Sequence, residues 1–268
     1  MKTYKETFEK LKNKNEGALA AFTVIGDPDY KTSLEITKKI VDAGADMLEL
    51  GMPFSDPIAD GPTIQAANIR ALGSGMSTDK AFDFVKELRK YTNIPIGFLC
   101  YYNLIYQRSV SKFYSDAKYA EINSILIADM PIEEHNEVLP HLHENNMDIV
   151  LMVTPITSDE RINKIAKAST GFVYAVSRLG VTGVKSNLEE SAMIMVKRIR
   201  KLTTKPLCVG FGISKPEHVK AMINAGADGV IVGSAIVELI AKNLDNKDKM
   251  IDMIYNYVKE MKSATMGQ

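Results

Sequence analysis

The sequence predicts an α/β protein that folds as a single (β/α)8 barrel domain over residues 1–268, with an extra N-terminal helix and a C-terminal closing helix. Eight short apolar runs alternate with longer stretches of helical periodicity, and no linker-like segment divides the chain. The runs are mostly apolar without alternation, as is typical of parallel strands covered on both faces. An open doubly wound sheet stays possible, because periodicity alone does not show closure.

The predicted strands are short and apolar, and in chain order they are Ala18–Val24, Met47–Leu50, Ile96–Cys100, Ser124–Ile127, Ile149–Val153, Phe172–Val176, Leu207–Val209 and Gly229–Val232. Helical periodicity predicts helices at Tyr30–Asp42, Thr78–Lys90, Ser109–Ala120, Glu133–Asn145, Ser158–Ala168, Leu188–Leu202, Lys215–Ala225, Ser234–Ala241 and Lys247–Ser263. The charged N-terminal segment predicts a further amphipathic helix. Ala43–Asp46 and Ala225–Asp228 are near repeats in which a glycine suits the end of a helix just before a strand.

The charge of the chain excludes a global attraction to nucleic acid or to an anionic membrane, because 33 basic residues balance 33 acidic ones. No apolar run of signal-peptide type opens the sequence, and no stretch approaches the roughly 20 apolar residues of a membrane-spanning helix. Cys100 and Cys208 both lie in predicted strands, and two buried thiols favour a reducing compartment without a disulfide. We therefore expect a cytoplasmic protein.

Glu49 is a carboxylate inside an otherwise apolar predicted strand. One interpretation is a structural glutamate that a neighbouring backbone or basic group satisfies. Its place at the carboxyl-terminal end of the strand favours catalysis, because (β/α)8 barrels have their active sites at that end. Burial should raise the pKa of Glu49, which suits a group that donates and accepts protons near neutral pH.

The loop after this strand, residues 53–62, contains Asp56, Asp60 and three prolines that limit its flexibility. Either aspartate alone is typical of a turn or a helix cap. Because Glu49 lies just before this stiffened loop, we expect one of them to face the same cavity. Two carboxylates near one substrate can divide proton transfer and hydrogen bonding between them.

Glycine-rich segments follow the seventh and eighth predicted strands, at residues 210–214 and 233–236. Glycine lets backbone N–H groups approach an anion closely, and the helix predicted at Ser234 points its positive end there. Tight turns would explain either segment alone, but two in adjacent units predict a phosphate site. The small-residue loop at 180–183 could add donors or fold over the ligand, while Arg178 could contact substrate or a neighbouring carboxylate.

Together these segments resemble the tryptophan synthase α subunit family over the whole chain. The most specific match is Leu48–Gln65, LELGMPFSDPIADGPTIQ. Supporting matches lie at residues 26–29, 101–103, 177–183, 209–214 and 227–235. The resemblance implies a lyase of tryptophan biosynthesis, which cleaves indole-3-glycerol phosphate to indole and glyceraldehyde 3-phosphate in a retro-aldol reaction without metal or organic cofactor.

The same resemblance implies roles for individual residues. Glu49 is the expected general acid and base, and Asp60 is the carboxylate that accepts a hydrogen bond from the indole N–H and stabilises the positive charge on that nitrogen. Tyr101 is expected close to Glu49, and Thr182 is expected to approach the catalytic aspartate. The full set of expected substrate contacts is Phe22, Leu99, Tyr101, Thr182, Gly183, Phe211, Gly212, Gly233 and Ser234.

A partner is also implied: the tryptophan synthase β subunit, which carries pyridoxal phosphate and receives indole through a tunnel in an assembly of two α and two β subunits. Asp56 and Asn103 match the surface that meets this partner. Neither Glu49 nor Asp60 is affected by the departures from the family pattern, at Val24-Ile25, Leu104, Ala128 and Ala175. Two of these lie on loops facing the partner or the pocket, so they bear on coupling to the β subunit more than on the chemistry.

Two other functions compete with this hypothesis. The first is an isomerase or synthase acting on another sugar phosphate. The expected pocket residues argue against it, and so does the lack of a catalytic lysine at a strand end. The second is a barrel with weak intrinsic catalysis that mainly activates the β subunit, and intact Glu49 and Asp60 argue against it. Metal binding is not expected from the histidines, which occur away from predicted strand ends, at His135, His141, His143 and His218.

Overall fold

Eight parallel strands form one sheet in the computed structural model, which describes residues 1–176, 188–210 and 212–266. In chain order the strands are β1 (Ala18–Val24), β2 (Met47–Gly51), β3 (Ile96–Cys100), β4 (Ser124–Ile127), β5 (Leu151–Val153), β6 (Val173–Val176), β7 (Leu207–Gly210) and β8 (Gly229–Val232). Their order in the sheet is β4-β3-β2-β1-β8-β7-β6-β5, so that strands adjacent in sequence are also adjacent in space.

The two ends of this order, β4 and β5, meet at a parallel bridge between Ser124 and Asp148. The Asp148 N–H donates to the Asn123 carbonyl there, at 2.8 Å. The sheet therefore curls into a nearly closed barrel with all carboxyl-terminal strand ends on one rim. The (β/α)8 fold predicted from the sequence is confirmed.

Helices surround the barrel, and one helix precedes the first strand while another ends the chain, as predicted. In the described ranges they are α1 (Tyr4–Lys12), α2 (Tyr30–Asp42), α3 (Pro62–Gly73), α4 (Thr78–Arg89), α5 (Tyr102–Gln107), α6 (Val110–Tyr119), a 3-10 helix (Ile132–Glu137), α7 (Leu139–Glu144), α8 (Asp159–Ala168), α9 (Leu188–Leu202), α10 (Pro216–Asn224), α11 (Ser234–Ala241) and α12 (Lys247–Ser263). Within these ranges no helix has the length and apolar composition needed to span a membrane.

Helix α3 is absent from the sequence prediction because its buried face is unusual. That face consists of Ala67, Asn68 and Ala71, two small residues and one amide, so apolar periodicity is faint. Pro62 in its first turn supplies the preset φ that starts a helix. The short α5 was likewise not predicted. The single helix predicted at Glu133–Asn145 is wrong, since a 3-10 helix and α7 share that stretch and Pro140 lies in the first turn of α7.

The near repeats in the sequence occupy equivalent places at the amino-terminal rim of the barrel. Gly44 and Gly226 follow the ends of α2 and α10 with φ of +102° and +107°, a conformation that favours glycine. Asp46 then accepts a hydrogen bond from the Leu19 N–H at 2.9 Å, and Asp228 accepts one from the Leu207 N–H at 2.8 Å. Each aspartate therefore ties its own strand to a neighbouring strand.

Candidate active site

Glu49 lies on β2, in register with Phe22 of β1 and Gly97 of β3. It is only 8% exposed, and the Tyr174 hydroxyl on β6 donates a hydrogen bond to its Oε2 at 3.3 Å. The described residues provide no ion pair to this carboxylate. An acid in such a place favours its neutral form.

Burial is the main reason that the pKa of Glu49 is raised from 4.5 to about 8. The hydrogen bond from Tyr174 acts in the opposite direction, and the negative charge of Asp60 raises the pKa further. At neutral pH Glu49 is therefore mostly protonated, yet close enough to its pKa to give up the proton and take it back.

Asp60 ends the loop that joins β2 to α3 and is partly buried. Burial raises its pKa from 3.8 to about 6, while hydrogen bonds from Tyr101 and Asn68 act to lower it. The Asp60 backbone is also fixed, because its carbonyl accepts from Gln65 Nε2 at 2.9 Å. At pH 7 this carboxylate is mostly ionised while Glu49 is mostly protonated, so the two acids differ in protonation state.

Both carboxylates border one pocket at the carboxyl-terminal rim. Phe22 and Leu99, predicted to contact substrate, lie in its wall. Sequence reasoning missed four further wall residues, namely Ile64, Tyr174, Ile213 and Ile231. The wall is thus mainly apolar with a few polar groups, which is the usual character of a site for a small molecule.

Tyr174 fits beneath this pocket because residue 210 is a glycine. A Cβ atom on Gly210 would lie 2.6 Å from the Tyr174 hydroxyl oxygen, which is too close for any side chain there. Tyr101, predicted to lie close to Glu49, contacts the Asp60 loop, where its hydroxyl accepts a hydrogen bond from the Ala59 N–H at 3.0 Å. A direct contact of Tyr101 with substrate stays a prediction.

The same pocket is also lined by Gly212, Gly233 and Ser234. Gly212 has φ of +78°, and a Cβ atom on Gly233 would lie 2.9 Å from the Phe22 ring, so both positions favour glycine. Ser234 begins α11, whose first N–H groups are directed towards the rim. Three predicted contacts, Thr182, Gly183 and Phe211, and also Arg178, lie outside the described residues.

Asp56 and Asn103, predicted to face a partner, are both exposed: Asp56 lies on the loop after β2, and Asn103 lies in α5, the short helix after the adjacent strand β3. Large apolar side chains are exposed beside them, with Ile58 at 82% and Tyr106 at 63%. Exposed apolar groups that form a contiguous patch rimmed by polar ones are typical of a surface that contacts another protein.

A family model described as "Tryptophan synthase alpha chain" matches residues 8–266. The chain belongs to this family. Among curated members of the tryptophan synthase alpha chain family, that of Methanoregula boonei is 49% identical over 94% of this chain and 95% of its own length. That of Vibrio vulnificus is 43% identical over 99% of both. The family predicted from the sequence is confirmed.

Solved structures agree with this assignment to the tryptophan synthase alpha chain family. The tryptophan synthase complex from Pyrococcus furiosus contains a chain that superposes with a TM-score of 0.83 at 36% identity, covering 92% of this chain and 98% of that one. A chain of Mycobacterium tuberculosis tryptophan synthase gives a TM-score of 0.89 at 28% identity, with 99% and 98% covered. A chain from Aquifex aeolicus gives 0.88 at 35% identity, with complete coverage of both.

Proposed function

We propose that this chain cleaves indole-3-glycerol phosphate to indole and glyceraldehyde 3-phosphate, with Glu49 transferring protons and Asp60 stabilising the indole nitrogen. Membership of the tryptophan synthase alpha chain family confirms the lyase reaction predicted from the sequence. One observation carries the assignment of residue roles: two carboxylates with pKa values of about 8 and about 6 border the same pocket. This difference in pKa makes Glu49 the proton donor and Asp60 the anion.

The bond between indole C3 and the side chain breaks with difficulty while the ring is aromatic, because C3 would leave as a poor carbanion. Protonated Glu49 first donates its proton to C3, which converts the ring to an indolenine with positive charge on nitrogen. Ionised Asp60 accepts a hydrogen bond from that N–H and stabilises the charge as it develops. The ring then serves as an electron sink.

Cleavage follows from the same intermediate. The Glu49 carboxylate removes the proton from the side-chain hydroxyl adjacent to C3, and the hydroxyl oxygen forms the new aldehyde. The electron pair of the broken carbon–carbon bond returns to the ring and neutralises the nitrogen. Glu49 ends protonated as it began, so protons and electrons balance without a cofactor of this chain.

The phosphate of the substrate is assigned to the pocket end formed by Gly212, Gly233 and Ser234. Backbone N–H groups at the start of α11 and glycines that permit close approach support this assignment. Thr182, Gly183 and Phe211 are proposed to complete the site. A phosphate held there leaves the indole ring to lie between Phe22 and Leu99, towards the two carboxylates.

Indole formation from indole-3-glycerol phosphate by the purified chain tests this function directly. Asp60→Asn should lower kcat/KM about 100- to 1000-fold, because a neutral amide stabilises the cationic ring poorly. Asp29→Asn is the matched control, since Asp29 caps α2 through a 3.0 Å hydrogen bond from the Thr32 N–H and asparagine caps equally well. Equal activity of the two variants would contradict the role of Asp60. An inactive wild-type chain would favour the alternative function, in which the barrel mainly activates a partner enzyme.

The exposed surface around Asp56, Ile58, Asn103 and Tyr106 is proposed to bind a tryptophan synthase β subunit, in an assembly of two α and two β subunits. Its mixed apolar and polar character supports this, as does similarity to chains of tryptophan synthase complexes. Pyridoxal phosphate would then belong to the partner. A cytoplasmic location is proposed with it, since Cys100 and Cys208 are buried free thiols.

Mixing the chain with a β subunit should raise the rate of indole release. Ile58→Glu should abolish this stimulation and leave the rate of the isolated chain unchanged, because a buried charge at an interface is costly. The measurement is indole formation titrated against the β subunit. Stimulation that survives Ile58→Glu would place the contact elsewhere.

A further inference from the structure

Asn68 is a buried amide on α3, with only 3% of its surface exposed. Its Nδ2 donates a hydrogen bond to the Ile64 carbonyl at 2.9 Å, and its Oδ1 accepts one from the Phe54 N–H at 3.0 Å. The second bond reaches back across the loop that contains Asp60. One bond thus stays within α3 and the other joins α3 to the loop, so this buried amide does more than fill the core.

The loop from Phe54 to Asp60 is fixed near both of its ends by two side chains. At its start, Asn68 holds the Phe54 N–H, and the Phe54 ring stacks on the Tyr101 ring with centroids 5.1 Å apart. Near its end, the Tyr101 hydroxyl accepts from the Ala59 N–H at 3.0 Å. Asn68 and Tyr101 therefore hold both ends of a loop whose residues are otherwise largely exposed.

The same two side chains also contact the carboxylate at the end of the loop. Hydrogen bonds from Tyr101 and Asn68 lower the pKa of Asp60, against the burial that raises it to about 6. Without the hydrogen bond that Asn68 donates, the pKa of Asp60 would rise, and Asp60 would stay protonated up to a higher pH.

Anchoring α3 does not require Asn68. Two residues further along, Arg70 donates from Nε to Asp27 Oδ1 at 2.6 Å and from Nη2 to Asp27 Oδ2 at 2.9 Å. This two-pronged ion pair holds the helix to the segment after β1. The bonds of Asn68 thus act on the loop more than on the helix.

We propose that Asn68 is a positioning residue, which fixes the loop between Phe54 and Asp60 and so holds the Asp60 carboxylate in place at the pocket. This inference rests on the proposed role of Asp60. Asn68 does not line the described pocket, so it acts on the substrate only through that carboxylate.

Asn68→Ala is expected to lower kcat about 10- to 100-fold while KM changes less than about threefold, because the phosphate end of the pocket is untouched. The acid limb of the profile of kcat/KM against pH should move about one pH unit upward, since Asp60 loses a donor. Asn68→Asp keeps the acceptor for the Phe54 N–H but replaces the donor by a negative charge. Its acid limb should lie higher still.

Asn243→Ala is the matched control. Asn243 is 4% exposed and lies in the turn that follows α11, and its Nδ2 donates to the Leu239 carbonyl at 2.9 Å, a bond to the residue four positions earlier like that between Asn68 and Ile64. Its loss should reduce thermal stability to a similar degree and leave the acid limb unmoved. A purely structural role for Asn68 predicts that both alanine variants behave alike in the pH profile.

The outcomes separate the inference from the function on which it rests. Full turnover in Asp60→Asn would contradict the proposed role of Asp60 itself. A low turnover in Asp60→Asn together with a wild-type acid limb in Asn68→Ala would overturn the inference alone. Where Asn68→Ala fails to fold, Asn68→Asp decides, because an acid limb at the wild-type pH in that variant also contradicts the proposal.

Discussion

Strand β2 has a carboxylate near each end, and the two have opposite surroundings. Asp46, just before the strand, accepts a hydrogen bond from the Leu19 N–H and pairs with Lys262 Nζ at 3.0 Å. Glu49, three residues on, has the Tyr174 hydroxyl at 3.3 Å, and the described chain gives it no cation. Burial raises the pKa of both groups, but Lys262 and the Leu19 N–H oppose the rise at Asp46.

The difference shows that neighbours, more than residue type, decide what a buried acid does. A carboxylate with a cation and a backbone donor joins strands at the amino-terminal rim, where both partners oppose the rise in its pKa. A carboxylate without a cation is held neutral at the rim where barrels have their active sites. Each of the following predictions changes one side of this comparison.

The largest effect is expected on turnover. Glu49→Gln should reduce indole formation about 100- to 10,000-fold, because it removes the group that transfers protons and changes shape little. Asp46→Asn should keep turnover within about twofold of the wild type, measured in the same assay. If both variants lost activity equally, the assignment of catalysis to one end of β2 would be wrong.

The pH dependence of kcat/KM should be bell-shaped, with limbs near the pKa values of about 6 for Asp60 and about 8 for Glu49. Below the first limb Asp60 becomes neutral, and above the second Glu49 loses the proton it must donate. Activity should fall about tenfold for each pH unit beyond either limb, and the two limbs belong to the coupled pair. A profile that is flat from pH 5 to 9 would contradict the assignment of different protonation states to Asp60 and Glu49.

Loss of the cation at the other rim should affect stability and not chemistry. Lys262→Met should lower the free energy of unfolding by about 2–4 kcal/mol, because Asp46 and Glu16 keep charges in a partly buried place without their partner. Adding Asp46→Asn to this variant should recover part of the loss. Urea unfolding of the single and double variants measures the coupling energy between Lys262 and Asp46. Effects that simply add would argue against a stabilising ion pair between them.

The smallest effect is a gain of stability in the inactive variant. A raised pKa in the folded state means that the wild type loses stability as the pH rises from 4.5, the ordinary value for Glu49, to about 8. Glutamine does not ionise, so Glu49→Gln should match the wild type near pH 4. It should exceed it by about 1–3 kcal/mol at pH 8, as measured by urea unfolding. A gain independent of pH would indicate another cause.

Sequence reasoning found Glu49 because a carboxylate in an apolar strand is conspicuous. The stiff loop that follows offered Asp56 and Asp60 as candidates, and only the family resemblance selected Asp60. It did not find Tyr174, since a tyrosine within a predicted strand resembles an ordinary core residue. Its hydrogen bond joins residues 125 positions apart. Nor did it find Asn68, because α3 buries small and polar residues and shows faint periodicity.

The sequence by itself predicted eight strands alternating with helices, and its resemblance to a known family added the closed barrel and the roles of the two carboxylates. Alternating apolar runs and helical stretches depend on local patterns, and local patterns can be seen along one chain. Only the tertiary structure decided that Asp46 has Lys262 beside it while Glu49 has Tyr174. Burial and electrostatic neighbours set a pKa, and both come from residues that are distant in the chain and adjacent only in the fold.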